Sequence, residues 1–234
     1  MANSKKIALF LVEGSTDSTA LGLVISRLLK DTDVRFHVLN GDICYRFRIA
    51  EDNAAKSVMR AVNGFLQRYR LKKSDLFCIV HIIDTDGAFI PTERVIRGGT
   101  ENAHYKDTFI ETLSVDSIRS RNELKTAAAQ ALCKLSDVEN VPYAFYYFSR
   151  NIEHVLHDRS DSLSSREKRI FSEKFETLYA DHPLGFLELL RSPEVAVRGS
   201  YRKTWEYIFR NTNSLKRGCN LALFFDWYEK QKEK

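Results

Sequence analysis

Apolar positions along this chain fall into two rhythms. Ile7–Val12 (IALFLV) is an apolar run with no polar alternation, which suits a strand buried on both faces of a parallel sheet. Residues 16–30 then place Ala20, Leu21, Val24, Ile25 and Leu28 at helical spacing. Residues 34–39 (VRFHVL) alternate like a strand, and Asn40-Gly41 marks a turn after them. Residues 52–69 predict a helix through Ala55, Val58, Met59, Val62 and Leu66, and residues 76–83 (LFCIVHII) a second buried strand. Residues 87–107 show no periodicity and hold Pro91 and Gly98-Gly99. Helices are expected over 108–115 and 122–135, and an aromatic-rich strand over 143–148. Beyond Arg150 the pattern is helical at 166–179, 184–190, 201–209 and 220–230.

Strands alternating with helices predict an α/β fold: a parallel sheet flanked by helices, with a helical C-terminal region. The linear division is an α/β domain over 1–158 and a helical region over 159–234. The 234 residues, 44% hydrophobic and 29% charged, fit an ordinary globular chain. No stretch approaches the roughly 18 apolar residues of a membrane helix, and the apolar run behind the N-terminus is too short for a signal-peptide core. A cytoplasmic protein without a membrane partner is expected. Cys44, Cys78, Cys133 and Cys219 are far apart and form no CxxC pair, which predicts reduced thiols and no zinc site.

The net charge is +5, and its placement changes the picture. Residues 191–217 hold seven Lys/Arg against two Asp/Glu, so this stretch carries the whole excess. It is a candidate footprint for a phosphate backbone, with Arg202, Lys203 and Arg210 as the cations. A solvated helical face is the plainer alternative. Tyr201, Trp205 and Phe209 share a helical face there, a stripe that is more often core than a base-stacking platform.

The chemistry-bearing residues sit at strand ends. Glu13 follows the first strand, Asp84 and Asp86 follow the third, and Glu153 lies a few residues past the fourth. The carboxyl ends of parallel strands share one rim, where ligands bind. If these strands are neighbours, the carboxylates converge. Two carboxylates about 4 Å apart repel by roughly 4 kcal/mol at an effective dielectric near 20. A hard cation relieves that repulsion, and oxygen-only ligands suit Mg²⁺ or Mn²⁺. Asp17 is open between metal ligand and helix cap. His154 and His157 are better read as packing or surface histidines than as a zinc pair, and His81 as a core histidine. The 87–107 segment, with Arg94, Arg97 and Lys106, either closes over a phosphate backbone or is a plain connection.

Leu11-Val12-Glu13-Gly14-Ser15-Thr16-Asp17 resembles the first TOPRIM motif, and Ile82-Ile83-Asp84-Thr85-Asp86-Gly87 resembles its Asp-x-Asp motif. The resemblance is nearest to nucleases of the overcoming-lysogenisation-defect type and to stand-alone TOPRIM effectors of bacterial anti-phage systems. It implies a Mg²⁺-dependent endonuclease acting on DNA or RNA, with Glu13, Asp84 and Asp86 catalytic. It also implies Asp17 and, through Ser149-Arg150-Asn151-Ile152-Glu153, Glu153 as further metal ligands. Phe89 stands where primases and maturases often carry a glycine. By the same analogy the chain is the toxic effector of an abortive-infection system, restrained by an ABC-type ATPase encoded nearby, and a homodimer is compatible with this. No G-x-x-x-x-G-K-[ST] occurs, so nucleotide dependence has to come from another chain. The alternative is a non-catalytic TOPRIM-like binding or regulatory module within a larger assembly.

Overall fold

The computed structural model describes residues 5–39, 48–159 and 163–233; the turn expected at Asn40-Gly41, and Cys44, lie outside them. The fold is α/β with a mostly parallel central sheet. Strands β1 (Ile7–Val12), β2 (Asp33–Val38), β3 (Leu76–Asp84), β7 (Asp137–Val138) and β8 (Val141–Phe148) form it in the order β2-β1-β3-β8-β7. β1 pairs in parallel with both β2 and β3, and β7 with β8 antiparallel. A smaller sheet joins β4 (Val95–Arg97), β6 (Ile110–Thr112) and β5 (His104–Tyr105), with β4 and β6 parallel.

The chain divides into two compact units that interleave in sequence. Unit 1 is Met1–Ile82, Ala128–Phe145 and Ser172–Phe186; unit 2 is Ile83–Ala127, Tyr146–Phe171 and Leu187–Lys234. The cut at residue 158 follows chain order, whereas the compact units divide the helical C-terminal region between them.

In unit 1, every residue of β1 is buried, as its unbroken apolar run requires. Complete burial of each large aliphatic side chain stabilises by about 1.5–3 kcal/mol. Helix α1 (Ser15–Leu28) buries Ala20, Leu21, Val24 and Ile25, and α2 (Ala54–Tyr69) buries Val58, Met59, Val62, Phe65 and Leu66 at helical spacing. The left-handed Arg70, φ +54°, ends α2. Buried His81 meets the Tyr143 hydroxyl at 2.9 Å, a core histidine as expected.

In unit 2, the last turns of β8 meet the C-terminal region. Tyr147 donates its hydroxyl to the Thr204 carbonyl at 3.0 Å and its backbone N–H to the Asn220 side chain at 3.0 Å. Helices α7 (Tyr201–Ile208) and α8 (Ala222–Lys232) supply the rings for this layer, with Trp205 on Tyr147 and Phe224 on Tyr146. The Tyr201–Trp205–Phe209 stripe is therefore core packing.

One sequence expectation fails. Residues 108–115 are not helical: Ile110–Thr112 is the middle strand of the small sheet. Ile110 and Thr112 are buried and alternate with Glu111, a period of two too short to register against the surrounding residues. Helix α3 (Val115–Leu132) consequently starts seven residues before the expected Asn122. Among the described residues, no helix is long and apolar enough to cross a membrane.

Candidate functional site

Glu13 and Asp17 belong to unit 1. Glu13 is the first residue past β1 and is partly buried. Gly14 is the extended N-cap of α1, and its N–H donates to the Asp17 carboxylate at 2.8 Å. Asp17 thus serves as the acidic half of a capping box, the cap role left open by the sequence.

Asp84, Asp86 and Glu153 belong to unit 2. β3 ends at Asp84, and the chain turns through a left-handed Asp86, φ +48°, and Gly87, φ +71°. A side chain at 87 is disfavoured twice over: by the positive φ, and by a Cβ that would lie 2.6 Å from Ile110 Cδ1 and force it to move. The turn is tied down from several sides. The Asp86 N–H donates to the Arg150 carbonyl at 2.8 Å, and its own carbonyl accepts from Arg121 Nη2 at 2.6 Å. Asn122 donates to the Gly87 carbonyl at 3.0 Å, and Thr126 Oγ1 accepts from the Phe89 N–H at 3.1 Å. A left-handed aspartate held this way is a presented group, and the backbone strain is absorbed by its hydrogen bonds.

Lys125 is what the turn presents Asp86 to. Its side chain is wholly buried, and its ammonium meets Asp86 Oδ2 at 2.7 Å. A buried ammonium needs a counter-charge, and Asp86 supplies it. Tyr105 stands close by: its hydroxyl accepts from Arg121 Nη2 at 3.2 Å. Burial first, then the Asp86 carboxylate, raises its pKa.

Glu153 lies in the first turn of α4 (Ile152–His157), which Asn151 caps by accepting the His154 N–H. The residue is 4% exposed, and its carboxylate pairs with Lys168 at 3.2 Å. His154 is buried, its pKa lowered to about 4 by desolvation and then by Arg150, while His157 packs on Phe171. Among the described residues, neither histidine belongs to a group of three potential metal ligands.

The fit to a divalent cation can be judged on these donors. Carboxylate oxygens alone are right for Mg²⁺ or Mn²⁺. Lys125 already engages Asp86 through Oδ2. Among the described residues, however, no three His, Cys, Asp or Glu side chains come together as a group that could hold a metal ion. The donor chemistry suits the ion, and the ligands are not gathered as a finished cage.

Of the basic residues expected to meet phosphate, Arg202 is exposed and paired with Glu206 at 2.8 Å, while Lys203 and Arg210 are exposed. The first is partly neutralised and the other two remain solvated cations.

Sequence reasoning missed Lys125, Arg121, Asn122 and Arg150. The signal for two of them was present. Asn122 and Lys125 extend the buried phase of Ala129 and Leu132 back along α3 at spacings of three and four. A polar residue in the apolar phase of a helix needs a buried partner, and here the partner is the Asp86–Gly87 turn. Arg150 carried no such signal, because its partners lie 43 and 65 residues away.

Compared with family models, with curated proteins and with solved structures, the chain matches none.

Proposed function

We propose that this chain is a cytoplasmic nuclease that cleaves phosphodiester bonds of DNA or RNA with Mg²⁺ or Mn²⁺, and that it acts as the toxic effector of an anti-phage system restrained by a partner ATPase. The observation that carries this reading is topological. β1 and β3 are hydrogen-bonded parallel neighbours whose register reaches Leu11↔His81, two residues before Glu13 and three before Asp84. Acidic residues therefore follow adjacent strands at their carboxyl ends, where open α/β sheets bind ligands.

In this reading Glu13, Asp84 and Asp86 would hold the cation once it gathers them. When bound, it supplies positive charge to the attacking and leaving oxygens. The chain's own residues do the rest. The hydrogen bonds around Asp86 fix its position, and Lys125 balances its charge. Lys203 and Arg210 neutralise phosphates at a distance from the chemistry. No side-chain nucleophile is needed, so products carry free ends.

The test is cleavage of a panel of single-stranded DNA, duplex DNA and RNA with Mg²⁺, Mn²⁺ or EDTA. Glu13→Ala and Asp86→Ala are expected to fall to the EDTA level. Full activity in Glu13→Ala, or activity that survives EDTA, would overturn the reading. One observation favours a second reading, a non-catalytic TOPRIM-like binding or regulatory module: the Lys125 ammonium already satisfies Asp86 without any metal. Under that reading no member of the panel is cut in any metal.

A further inference from the structure

Arg150 is an unusual place for a cation. It follows β8 in a left-handed conformation, φ +54°, and only 2% of its side chain is exposed. Its backbone N–H donates to Thr85 Oγ1 at 2.8 Å and its carbonyl accepts from the Asp86 N–H, so it is locked beside the Asp86 turn. The guanidinium donates from Nε to the Leu215 carbonyl at 2.5 Å and from Nη2 to Asp107 Oδ1 at 2.5 Å. Nη1 is buried and has no hydrogen-bond partner among the described residues. A guanidinium carries five N–H donors in a planar fork, and buried ones are normally all used.

The partner it does have is as unusual. Asp107 is 80% exposed and sits at the end of the 87–107 segment, offering one carboxylate oxygen to a fork built for two. An exposed acid on a buried arginine adds little stability by itself, because solvent competes for the carboxylate. Phosphate matches the fork better, since its several oxygens can accept from Nη1 and Nη2 together.

We propose that Arg150 is a phosphate-binding residue and that the Asp107 carboxylate occupies the phosphate's place until a phosphate displaces it. The 87–107 segment then carries its own acidic plug. Tyr105, two residues before Asp107, lies within electrostatic reach of both Asp86 and Arg150, so a phosphate on Arg150 stands near the Asp86 turn. The source of the phosphate, nucleic-acid backbone or free phosphate, follows from the proposed function in the first case and is independent of it in the second.

The test is binding in EDTA, which removes the metal question. Asp107→Asn keeps the shape and removes the competing charge, and exposure of Asp107 makes it safe for folding. Asp116→Asn, at a fully exposed position on α3, makes the same change in net charge. A fluorescein-labelled oligothymidylate should bind Asp107→Asn at least about threefold tighter than wild type, as follows from removing a partly exposed ion pair, while Asp116→Asn stays at the wild-type value. Adding Arg150→Lys to Asp107→Asn should cancel the gain. Inorganic phosphate should raise the unfolding temperature of Asp107→Asn more than that of wild type. A phosphate response without tighter oligonucleotide binding supports the oxyanion site and assigns it to free phosphate. Equal behaviour of Asp107→Asn and Asp116→Asn in both assays overturns the proposal and leaves Asp107 as a loop anchor. Metal-dependent cleavage with no Asp107→Asn effect removes this inference alone; an Asp107→Asn effect without cleavage removes the nuclease reading alone.

Discussion

At the residue scale, the contrast between Asp17 and Asp86 separates a structural acid from a presented one. Asp17 closes a capping box on Gly14, so Asp17→Ala should cost about 1 kcal/mol in urea unfolding and leave the response to Mn²⁺ unchanged. A lost Mn²⁺ response in that variant would make Asp17 a ligand after all. Asp86 faces a different balance. Lys125→Met leaves a partly buried carboxylate without its counter-ion, a change that costs about 3–5 kcal/mol where both partners are buried and less where, as here, the carboxylate keeps some solvent. A divalent cation can replace the lost charge. Thermal unfolding of Lys125→Met should therefore rise more with millimolar Mn²⁺ than wild type does, by mass action on the folded state. An identical rise in the two proteins would show that Lys125 and the cation do not share Asp86.

At the element scale, helix α7 holds two kinds of residue that the sequence displayed side by side. Trp205 is 2% exposed against Tyr147, and Trp205→Ala should cost about 3–5 kcal/mol in denaturant unfolding. Lys203→Ala should leave stability within about 0.5 kcal/mol and, if the helix meets nucleic acid, lower the salt slope of binding by about one. A salt slope unmoved by Lys203→Ala and by Arg210→Ala would assign both to a solvated face. The elements themselves were legible where burial imposes a long pattern. β1, β3 and β8 read as strands because continuous burial leaves unbroken apolar or aromatic runs. Ile110–Thr112 was hidden because three residues cannot show a period, and its conformation is decided by pairing with β4 and β5. The early start of α3 was hidden because residues 115–121 bury no side chain and so set no apolar phase.

At the scale of the whole molecule, chain order is a poor guide to compactness. Residues Ser172–Phe186 group with the N-terminal strands, while Leu187–Lys234 group with the Asp84–Asp86 turn. No Pro/Gly-rich linker marks these exchanges along the chain. The candidate acids were legible as the acidic residues that end or follow the apolar strand runs. Lys125, the cation that answers Asp86, showed only as a polar residue in the buried phase of α3, and Arg150 showed no sign, because its partners are met only after folding. The proposed restraint by an ATPase belongs to this scale too. With no nucleotide-binding motif in the chain, ATP alone should leave the purified protein's cleavage unchanged, and an adjacent gene product should suppress it. Equal cleavage with and without every neighbouring product would end that part of the account.

The central claim is that a divalent cation sits on the acids at the strand ends. Mn²⁺ binding followed by electron paramagnetic resonance tests it without any substrate, since free hexaaqua Mn²⁺ gives a sharp signal that broadens on binding. Wild type should remove free Mn²⁺ from solution, and both Glu13→Ala and Asp84→Ala should fail to do so while remaining folded by circular dichroism. Retained binding in Asp84→Ala, or no binding by the wild type at millimolar Mn²⁺, would contradict it.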